Sequence, residues 1–573
     1  MSCNPAIGGI GKGQMVREID ALGGLMGLVT DEAGIQFRML NRSKGPAVWA
    51  PRAQCDRELY AAVVQRRLAE CPNLTILEAS VEDLLCEARA GARPRVTGVR
   101  LRDGATVGAG AVVVTSGTFL RALMHTGEQI TPGGRIGEPA AEGLSAALQR
   151  LGLRLGRLKT GTPPRLARDS IDYSRLEEQR GDSPPAPFSL LSDAVTSEQV
   201  SCWIGFTNEA IHECIRANLH RAPMYSGQIR SSGPRYCPSI EDKVVRFADK
   251  NRHQLFLEPE GRNSDRIYVN GISTSLPAEV QARIVAEIDG LEHARVLQWG
   301  YAVEYDFSPP EQIDATLMTK CAAGLFLAGQ INGTSGYEEA AAQGLLAGAN
   351  AARFVSGASP LVLQRDEAYI GVMIDDLVTQ SLLEPYRMFT SRAENRLHLR
   401  IDNAAARLTP IGRSLGLVCD VRWNRFQQIE SRVAELEALF ASLKFDGRSL
   451  AELLRRPDED GARFVEAHAV LARYQAMPDV WARAIVAAKY AGYLEQQRRS
   501  IEYQRSMEAR EIPSGFDFAS VRQLRREAVE RLSAVRPRNI GQAARVSGVH
   551  ATDVTLLLVA VRELAIRNEP NSP

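Results

Sequence analysis

Apolar residues divide the chain into an α/β part and a helical part. Residues 111–115 and 325–328 are short apolar runs, each followed by a glycine-containing turn, which is typical of buried parallel strands. The second run leads into residues 337–352, where small side chains and leucine indicate a closely packed helix. A strand, a glycine-rich turn and a helix in this order form an arrangement that binds phosphate groups at the helix N-terminus.

Weaker patterns complete the prediction for the rest of the chain. From about residue 360 the strand signals fade, and charged and apolar residues alternate at helical spacing. We therefore predict an α/β fold in which a Rossmann-like domain contains an α+β insertion and is followed by an all-helical C-terminal domain. The further elements expected are a helix at 59–68, strands at 74–77, 201–206 and 267–269, and helices at 423–443 and 481–508.

The length of the chain requires several hydrophobic cores. A single core does not grow large enough to serve 573 residues. We expect residues 1–156 and 299–360 to form the two parts of the Rossmann-like domain, with residues 157–298 inserted between them. Residues 361–573 are expected to form the helical domain.

Charge and cysteine content exclude several classes of protein. The net charge is +1, so contact with a nucleic acid requires a local basic patch. Residues 521–573 have nine arginines against five acidic residues and are locally basic. Within them, residues 536–545 either contact RNA or belong to a small helical packing unit with a solvated face. No apolar run has the length of a membrane span, and the nine cysteines lack C-x-x-C pairs or metal-ligand spacing. A reduced, cytoplasmic protein without a metal site is therefore expected.

The segment with the clearest potential chemistry is residues 233–247, G-P-R-Y-C-P-S-I-E-D-K-V-V-R-F. Pro234 and Pro238 fix the backbone on either side of Cys237. A cationic, partly exposed environment lowers the pKa of a thiol and makes the thiolate a nucleophile. A surface turn with an incidental cysteine is the alternative interpretation at this point. The nearby charged residues are the cations Arg235, Lys243 and Arg246 and the possible proton acceptors Glu241 and Asp242.

Two glycine-rich loops are candidates for a cofactor site. The loop G-G-I-G-K-G at 8–13 is not a P-loop, because Ala6 stands where the first glycine is needed and Gly13 replaces the hydroxyl residue. It either lets backbone N–H groups approach a planar cofactor or is a tight turn before a helix. The loop G-Q-I-N-G-T-S-G-Y-E-E-A-A-A-Q-G at 329–344 either approaches a dinucleotide or packs a helix closely on a sheet.

Two further loops carry a cation. These are S-K-G-P-A-V at 43–48 and K-T-G-T-P-P-R at 159–165. Each either grips a phosphate or a carboxylate or is an ordinary basic loop.

Taken together, these segments resemble the family of tRNA uridine 5-carboxymethylaminomethyl modification enzymes, known as MnmG or GidA. The resemblance covers nearly the whole chain, and such long matches are more specific than any single glycine motif. Further segments that carry it are M-S-C-N-P-A-I at 1–7, F-L-E-P-E-G at 256–261, N-G-I-S-T-S-L-P at 270–277 and E-P-Y-R-M-F-T-S-R-A-E at 384–394.

The resemblance implies a flavoprotein that modifies carbon 5 of the wobble uridine in certain tRNAs. It implies that FAD is reduced by NADH, that methylenetetrahydrofolate supplies one carbon, and that glycine or ammonia supplies an amine. It also implies a homodimer that works with the GTPase partner MnmE and holds tRNA on basic C-terminal helices. The Rossmann-like domain would then bind FAD, the insertion would face NADH and substrate, and the helical domain would bind tRNA and the partner.

The same resemblance assigns site residues. Cys3 and Cys237 correspond to the two family cysteines, Val81 and Gln330 correspond to flavin contacts, and residues 233–247 correspond to the NAD-associated segment. The cofactor-binding residues expected are Gly8, Gly9, Gly11, Lys12, Val81, Gly117, Gly233, Pro234, Arg235, Tyr236, Lys243, Phe247, Gly329, Gln330, Gly333 and Gly336.

The chemistry of uracil agrees with these assignments. Carbon 5 becomes nucleophilic only after addition to carbon 6, and a thiolate is well suited to that addition. Cys237 is the candidate nucleophile, with Glu241 or Asp242 as proton acceptor. Cys3 is the alternative nucleophile or a carrier of the one-carbon unit, and the sequence does not decide between the two cysteines. The target base must be splayed from the anticodon loop to reach such a site.

The chain also departs from the family pattern. The family begins with a strand, a G-x-G-x-x-G turn and a helix, for which there is no room before Cys3. We expect a start placed at an internal methionine rather than a truncation. Asn395 stands where tyrosine is usual, and Ala491 stands where glutamate is common. The alternative functions are a folate- and FAD-dependent tRNA uracil methyltransferase, which lacks the long helical region, and a non-catalytic tRNA- or partner-binding protein.

Overall fold

The structure, a computed structural model, describes residues 3–231, 238–380, 384–456 and 458–568. Its strands are β1 (Ala6–Gly8), β2 (Gly34–Leu40), β3 (Ala50–Cys55), β4 (Val81–Arg89), β5 (Ala92–Leu101), β6 (Thr106–Gly108), β7 (Val112–Val114), β8 (Leu123–Thr126), β9 (Gln129–Pro132), β10 (Gly156–Thr162), β11 (Arg165–Ala167), β12 (Glu177–Gln179), β13 (Cys202–Phe206), β14 (Gln254–Pro259), β15 (Arg266–Asn270), β16 (Val296–Gln298), β17 (Tyr301–Phe307), β18 (Leu325–Leu327), β19 (Lys444–Phe445) and β20 (Arg448–Ser449). Its helices are α1 (Lys12–Ala21), α2 (Met26–Ala33), α3 (Arg57–Ala69), α4 (Gly143–Arg150), α5 (Glu209–Asn218), α6 (Ile240–Arg246), α7 (Ala278–Ala286), α8 (Tyr337–Val355), α9 (Tyr369–Thr379), α10 (Ala404–Ser414), α11 (Asp420–Ser442), α12 (Leu450–Leu453), α13 (Ala462–Ala467), α14 (Ala472–Gln475), α15 (Pro478–Glu508), α16 (Arg526–Val535), α17 (Ile540–Arg545) and α18 (Ala551–Asn568).

The Rossmann-like part is built on the parallel pair β7 and β18, in which Val112 lies opposite Leu325. β7 consists of three valines, whose branched side chains suit a sheet that helices cover. Helix α8 follows β18 and packs with α1 and α9 around one core, in which Phe326 and Leu346 are buried. The two predicted strands and the predicted helix after them are therefore confirmed.

The inserted part contains a six-stranded antiparallel sheet in the order β12-β13-β14-β15-β11-β16. Helices α5, α6 and α7 contribute Ile211, Val244 and Ile284 to a second core against this sheet. A four-stranded sheet, β10-β17-β8-β9, lies where the chain leaves and re-enters the first domain. The strands predicted at 201–206 and 267–269 are confirmed as β13 and β15.

The strand predicted at residues 74–77 is wrong. These residues have no regular structure, and Ile76 is 70% exposed. An apolar run forms a strand only where a neighbouring strand offers hydrogen bonds and a core covers one face. Among the described residues no strand pairs with this run, so its apolar side chains lie on the surface after α3.

The C-terminal part consists of helices around two separate apolar cores. Helices α11–α15 enclose one core, in which Leu436, Phe464 and Leu471 are fully buried. Helices α16–α18 enclose the other core around Leu532 and Ile540. The predicted all-helical region is confirmed except for a short hairpin of β19 and β20. Across the described ranges, no helix combines the length and the apolar character needed to cross a membrane.

The predicted domain boundaries stay predictions. The core around β7 and β18 also contains side chains between Leu361 and Leu408, beyond the boundary expected at residue 360. This extension arises because α9 and α10 both pack against α1.

Candidate functional site

An ion cluster joins the two glycine-rich loops. Lys12 Nζ lies 2.9 Å from Glu338 Oε2 and 3.2 Å from Glu339 Oε2, and all three side chains are buried. Burial alone would lower the pKa of Lys12, but the two carboxylates outweigh burial and the pKa is raised. The N–H of Gly8 donates to Glu338 Oε1 over 2.6 Å. The cluster therefore fixes the loop at 8–13 on the first turn of α8.

The turn between β18 and α8 depends on glycine. Gly333 has a φ of +78°, a conformation that residues with side chains rarely adopt. A Cβ on Gly336 would lie 1.8 Å from Glu339 Oε2 and 2.2 Å from Lys12 Nζ. Gly329 begins the turn, and its N–H donates to Gln343 on α8 over 3.0 Å. The turn, α8 and the Lys12 cluster are therefore one packed unit.

The turns after β7 and β18 lie side by side at the carboxyl ends of two parallel strands. Gly117 follows β7 and Gln330 follows β18, and a Cβ on Gly117 would lie 3.8 Å from Gln330 Oε1. Two buried atoms at these turns, Ser116 Oγ and Asn332 Oδ1, have no hydrogen-bond partner among the described residues. Ligands of open α/β sheets bind at the carboxyl ends of strands, and buried polar atoms normally have a partner. The two turns are therefore at the position where open α/β sheets bind ligands, and each has a buried polar atom that lacks a described partner. At the other glycine-rich loop, no atom lies within 4 Å of the position of a Cβ on Gly9.

Cys3 lies at a small cavity beside the turn after β7. Its N–H donates to Tyr337 Oη over 3.0 Å. Burial raises the pKa of Tyr301 and of Tyr337, so both phenols keep their protons at neutral pH. The cavity is lined by Cys3, Thr118, Gly134, Thr160, Gly161, Thr162, Tyr301 and Val303. The predicted flavin turn and the K-T-G-T-P-P-R segment therefore meet at Cys3.

Glu241, a predicted proton acceptor, is buried at the start of α6. Its Oε1 accepts hydrogen bonds from Thr274 Oγ1 over 2.6 Å and from the N–H of Ser275 over 3.3 Å. Its Oε2 is buried and has no hydrogen-bond partner in the described part of the chain. The carboxylate is therefore held in one orientation, with one oxygen left for a group outside these contacts.

The other predicted residues of α6 have structural contacts. Asp242 and Ser239 form a capping box at the start of the helix. Lys243 Nζ donates to the carbonyl of Gly271 over 2.7 Å, and Phe247, directly after the helix, is 50% exposed. The proposed roles of Asp242, Lys243 and Phe247 in catalysis or cofactor binding stay predictions.

Part of the predicted site lies outside the described residues, namely Gly233, Pro234, Arg235, Tyr236 and Cys237. The chain that follows is anchored, because the N–H of Ile240 donates to the carbonyl of Ser273 over 2.8 Å. Helix α6 is thus attached to the N-G-I-S-T-S-L-P segment. Val81, the predicted flavin contact, is the first residue of β4 and lies opposite Leu101.

Sequence reasoning missed the carboxylates that hold the site together. Glu338 and Glu339 follow a glycine turn and occupy the first turn of α8, a position that favours acidic residues. Two acidic residues directly after a glycine turn were therefore the signal in the sequence that could have identified them. Their partner Lys12 is 326 residues away from Glu338, so the sequence gives no indication of the contact.

Several arginines of the C-terminal helices are paired within the protein. The clearest case is Arg545, which binds Asp375 and Glu508. Asn395, which replaces the usual tyrosine, donates to Gln504 Oε1 of α15 over 3.0 Å. The further pairs are Arg483 with Glu430, Arg505 with Asp366, and Arg525 with Asp553.

Three family models match the chain. The model described as glucose inhibited division protein A matches residues 1–359. The tRNA modifying enzyme MnmG/GidA C-terminal helical domain matches residues 420–498, and the C-terminal helical bundle of the same enzymes matches residues 500–572.

Individual relatives match over almost the full chain. The tRNA uridine 5-carboxymethylaminomethyl modification enzyme MnmG of Rhodopirellula baltica is 51% identical, over 100% of this chain and 89% of the relative. The enzyme of the same name from Protochlamydia amoebophila is 50% identical, over 98% of this chain and 89% of the relative. A crystal structure of Aquifex aeolicus GidA superimposes with a TM-score of 0.89 and 44% identity, over 98% of this chain and 92% of that chain.

Proposed function

Because this chain belongs to the MnmG/GidA family, we propose that it is a flavin-dependent enzyme that forms 5-carboxymethylaminomethyluridine at the wobble position of tRNA. The observation that carries the proposal is the identity of 50% or more to two relatives of that name, over 98% or more of this chain. The segments that resemble the family include Cys3 and its cavity, the turn after β18 and the start of α6.

The turns after β7 and β18 would hold FAD. Gly117 and Gln330 would lie against the flavin, and Ser116 Oγ and Asn332 Oδ1 would gain partners. Bound flavin supplies a reversible hydride acceptor, which NADH would reduce on the side of the insertion. The Lys12 cluster would keep the two loops at a fixed separation.

Cys237 would add to carbon 6 of the uracil and leave again after carbon 5 has reacted. Glu241 is the better placed of the two candidate proton acceptors, because its Oε2 is buried without a described partner whereas Asp242 caps α6. Cys3 would act beside the flavin, as the second thiol or as a carrier of the carbon that methylenetetrahydrofolate donates.

The helical C-terminal part would bind tRNA and the GTPase partner MnmE, and the working enzyme would be a homodimer. This proposal rests on the family and on the excess of arginine in residues 521–573. Arginines without an inward pair are the better candidates for phosphate contacts, because Arg545 and Arg525 already bind carboxylates inside the protein.

The test combines a flavin spectrum with analysis of the tRNA product. The purified chain should bind FAD with a visible absorption band that NADH bleaches. It should form 5-carboxymethylaminomethyluridine when tRNA, methylenetetrahydrofolate, glycine and the GTPase partner are supplied, as measured by mass spectrometry of nucleosides. Cys237→Ser should lower product formation by orders of magnitude and leave flavin binding intact, whereas Cys71→Ser, at an exposed cysteine, should change neither.

Two results would contradict the proposal. Formation of 5-methyluridine in place of the expected nucleoside would support the methyltransferase alternative. Absence of a flavin band with excess FAD, together with tight tRNA binding, would support a non-catalytic binding protein.

A further inference from the structure

Asn4, the residue after Cys3, has a side-chain amide that connects two strands. Asn4 Oδ1 accepts a hydrogen bond from Gln54 Nε2 over 2.7 Å, and Asn4 Nδ2 donates to Glu258 Oε2 over 2.6 Å. Gln54 lies on β3, which pairs with β1, whereas Glu258 lies on β14 of the inserted part. The amide is therefore bound at both ends and connects the chain beside Cys3 to the insertion.

Glu258 is a buried carboxylate with both oxygens engaged. It is 3% exposed, and its Oε1 is paired with Arg52 Nη2 of β3. Well-packed apolar side chains often stabilise a protein as much as a buried ion pair does, because the burial of charge is costly. Stability alone therefore does not account for a carboxylate at this position. The other oxygen, Oε2, accepts the hydrogen bond of the Asn4 amide.

The chain on either side of Asn4 is also held in place. The N–H of Cys3 donates to Tyr337 Oη over 3.0 Å, and the carbonyl of Pro5 accepts from the N–H of Cys55 over 2.7 Å. Asn4 differs from both neighbours because its partner on β14 is ionisable and its contact is made by side chains. Hydrogen bonds to ionised groups are shorter and stronger than those between neutral groups. The carboxylate on β14 is therefore the strongest of these contacts to the segment.

We propose that Glu258 is a positioning residue for Cys3. Its carboxylate fixes the Asn4 amide, and thereby the backbone that places Cys3 at its cavity. The inference rests on the proposed function, in which Cys3 acts beside the flavin. A misplacement of about 1 Å at a reacting group can cost about 100-fold in rate. Glu258 would thus act on the reaction through Asn4, without touching the substrate.

The test measures how fast iodoacetamide alkylates Cys3 in the purified chain, with the modified peptides separated by mass spectrometry. Glu258→Gln removes the charge that holds Asn4. Loss of a hydrogen bond to a charged group makes local opening about 10- to 100-fold more frequent, so alkylation of Cys3 should accelerate by about that factor. Alkylation of Cys71, an exposed cysteine after α3, should keep its rate in the same sample.

Two further variants separate the hydrogen bond of Asn4 from the ion pair. Asn4→Ala leaves the pair of Glu258 and Arg52 intact and should accelerate alkylation of Cys3 to a similar extent. Asn4→Asp combined with Glu258→Gln reverses donor and acceptor and keeps one negative charge in the network. The alkylation rate of the double variant should therefore return part of the way to that of the native chain.

Activity and a matched control complete the test. For Glu258→Gln, kcat for formation of the modified nucleoside should fall by up to about 100-fold. The KM for tRNA and the reduction of bound flavin by NADH should stay unchanged. Asp553→Asn is the control for loss of a buried carboxylate paired with an arginine, because Asp553 is 1% exposed and lies 2.5 Å from Arg525 Nη2. This control should leave alkylation of Cys3 unchanged.

The outcomes separate this inference from the proposed function. Unchanged alkylation of Cys3 in Asn4→Ala would overturn the positioning role, and this variant decides if Glu258→Gln does not fold. Equal acceleration at Cys214, which is buried in the core of the insertion, would also overturn it, because the whole insertion would then be loosened. Faster alkylation with an unchanged kcat would overturn the link to the reaction. Alkylation needs no substrate, so its result is independent of product formation. If the native enzyme forms no modified nucleoside, the proposed function itself fails.

Discussion

The part of the molecule up to residue 420, called the first half below, and the helical part beyond it, called the helical half, differ in how much charge they bury. The first half buries many charged side chains, among them Lys12, Glu18, Arg165, Glu258 and Glu339. Beyond residue 420, the buried polar or charged side chains within the described ranges are Arg422, Glu459, Gln542 and Asp553. The two cores of that half are apolar.

The difference reflects what each half has to hold in place. Backbone groups of helices and strands bond to one another, whereas loops need side chains as partners. In the first half Lys12 and Glu338 hold one loop, Glu241 holds Ser275 in another, and Arg165 Nε lies 2.9 Å from Glu260 Oε1. Buried charge therefore occurs where irregular segments approach the candidate site, and amphipathic patterning suffices in the helical half.

The largest expected effect is that of Lys12→Met, which removes the cation from two buried carboxylates. Breaking a buried ion pair by removing one partner costs about 3–5 kcal/mol. We expect that loss in the local stability of α1 and α8, together with weaker flavin binding. Hydrogen–deuterium exchange of the two helices and a flavin titration measure both effects.

A second variant shows whether the loss comes from the charge. Lys12→Met combined with Glu339→Gln should recover part of the stability, because one of the two unpaired carboxylates becomes neutral. A loss below about 1 kcal/mol in the single variant, the usual value for a surface pair, would contradict the assignment of a buried cluster.

The fold could be predicted from the sequence wherever a pattern was long or unambiguous. The valines of β7 and the helical spacing of α11 and α15 were sufficient, because burial and periodicity are local properties of the sequence. Residues 74–77 show the limit, since four apolar residues do not reveal whether a neighbouring strand exists. The continuation of the first core to Leu408 depends on how α10 packs on α1, which no local pattern contains.

The candidate site was predictable in its residue types but less so in its contacts. The glycine turns and Cys3 were candidates from the sequence, and the structure places Cys3 beside the turn after β7 and in contact with Tyr337 at the start of α8. Lys12 lies in a predicted loop, whereas its partner Glu338 is 326 residues away in the sequence, in the first turn of α8. Ion pairing over such separations depends on the folded arrangement and not on spacing.

An intermediate effect is expected for Arg545→Ala, which tests how the last helices attach to the first half. Arg545 Nε lies 2.6 Å from Asp375 Oδ2 on α9, and its Nη2 lies 2.9 Å from Glu508 Oε1. Losing hydrogen bonds to charged groups costs about 1.5–3 kcal/mol. We expect faster hydrogen exchange in α17 and α18 with unchanged exchange in α8. Faster exchange in α8 as well would mean that the two halves unfold together.

The smallest effect is expected for Arg526→Ala on α16. Arg526 Nε lies 3.0 Å from Glu530 Oε1 one turn along the helix, and both side chains are mostly exposed, at 93% and 64%. Exposed pairs at this spacing contribute about 0.3–0.5 kcal/mol, because water competes for both charges and salt screens them. The Tm of the variant should therefore be almost the same as that of the unmodified protein, and the difference should be smaller still at high salt. If this variant instead accelerated hydrogen exchange in α16 as much as Arg545→Ala does in α17, the contrast between the two halves would not hold. Surface charge would then be as important to the stability of the helical half as buried charge is to that of the first half.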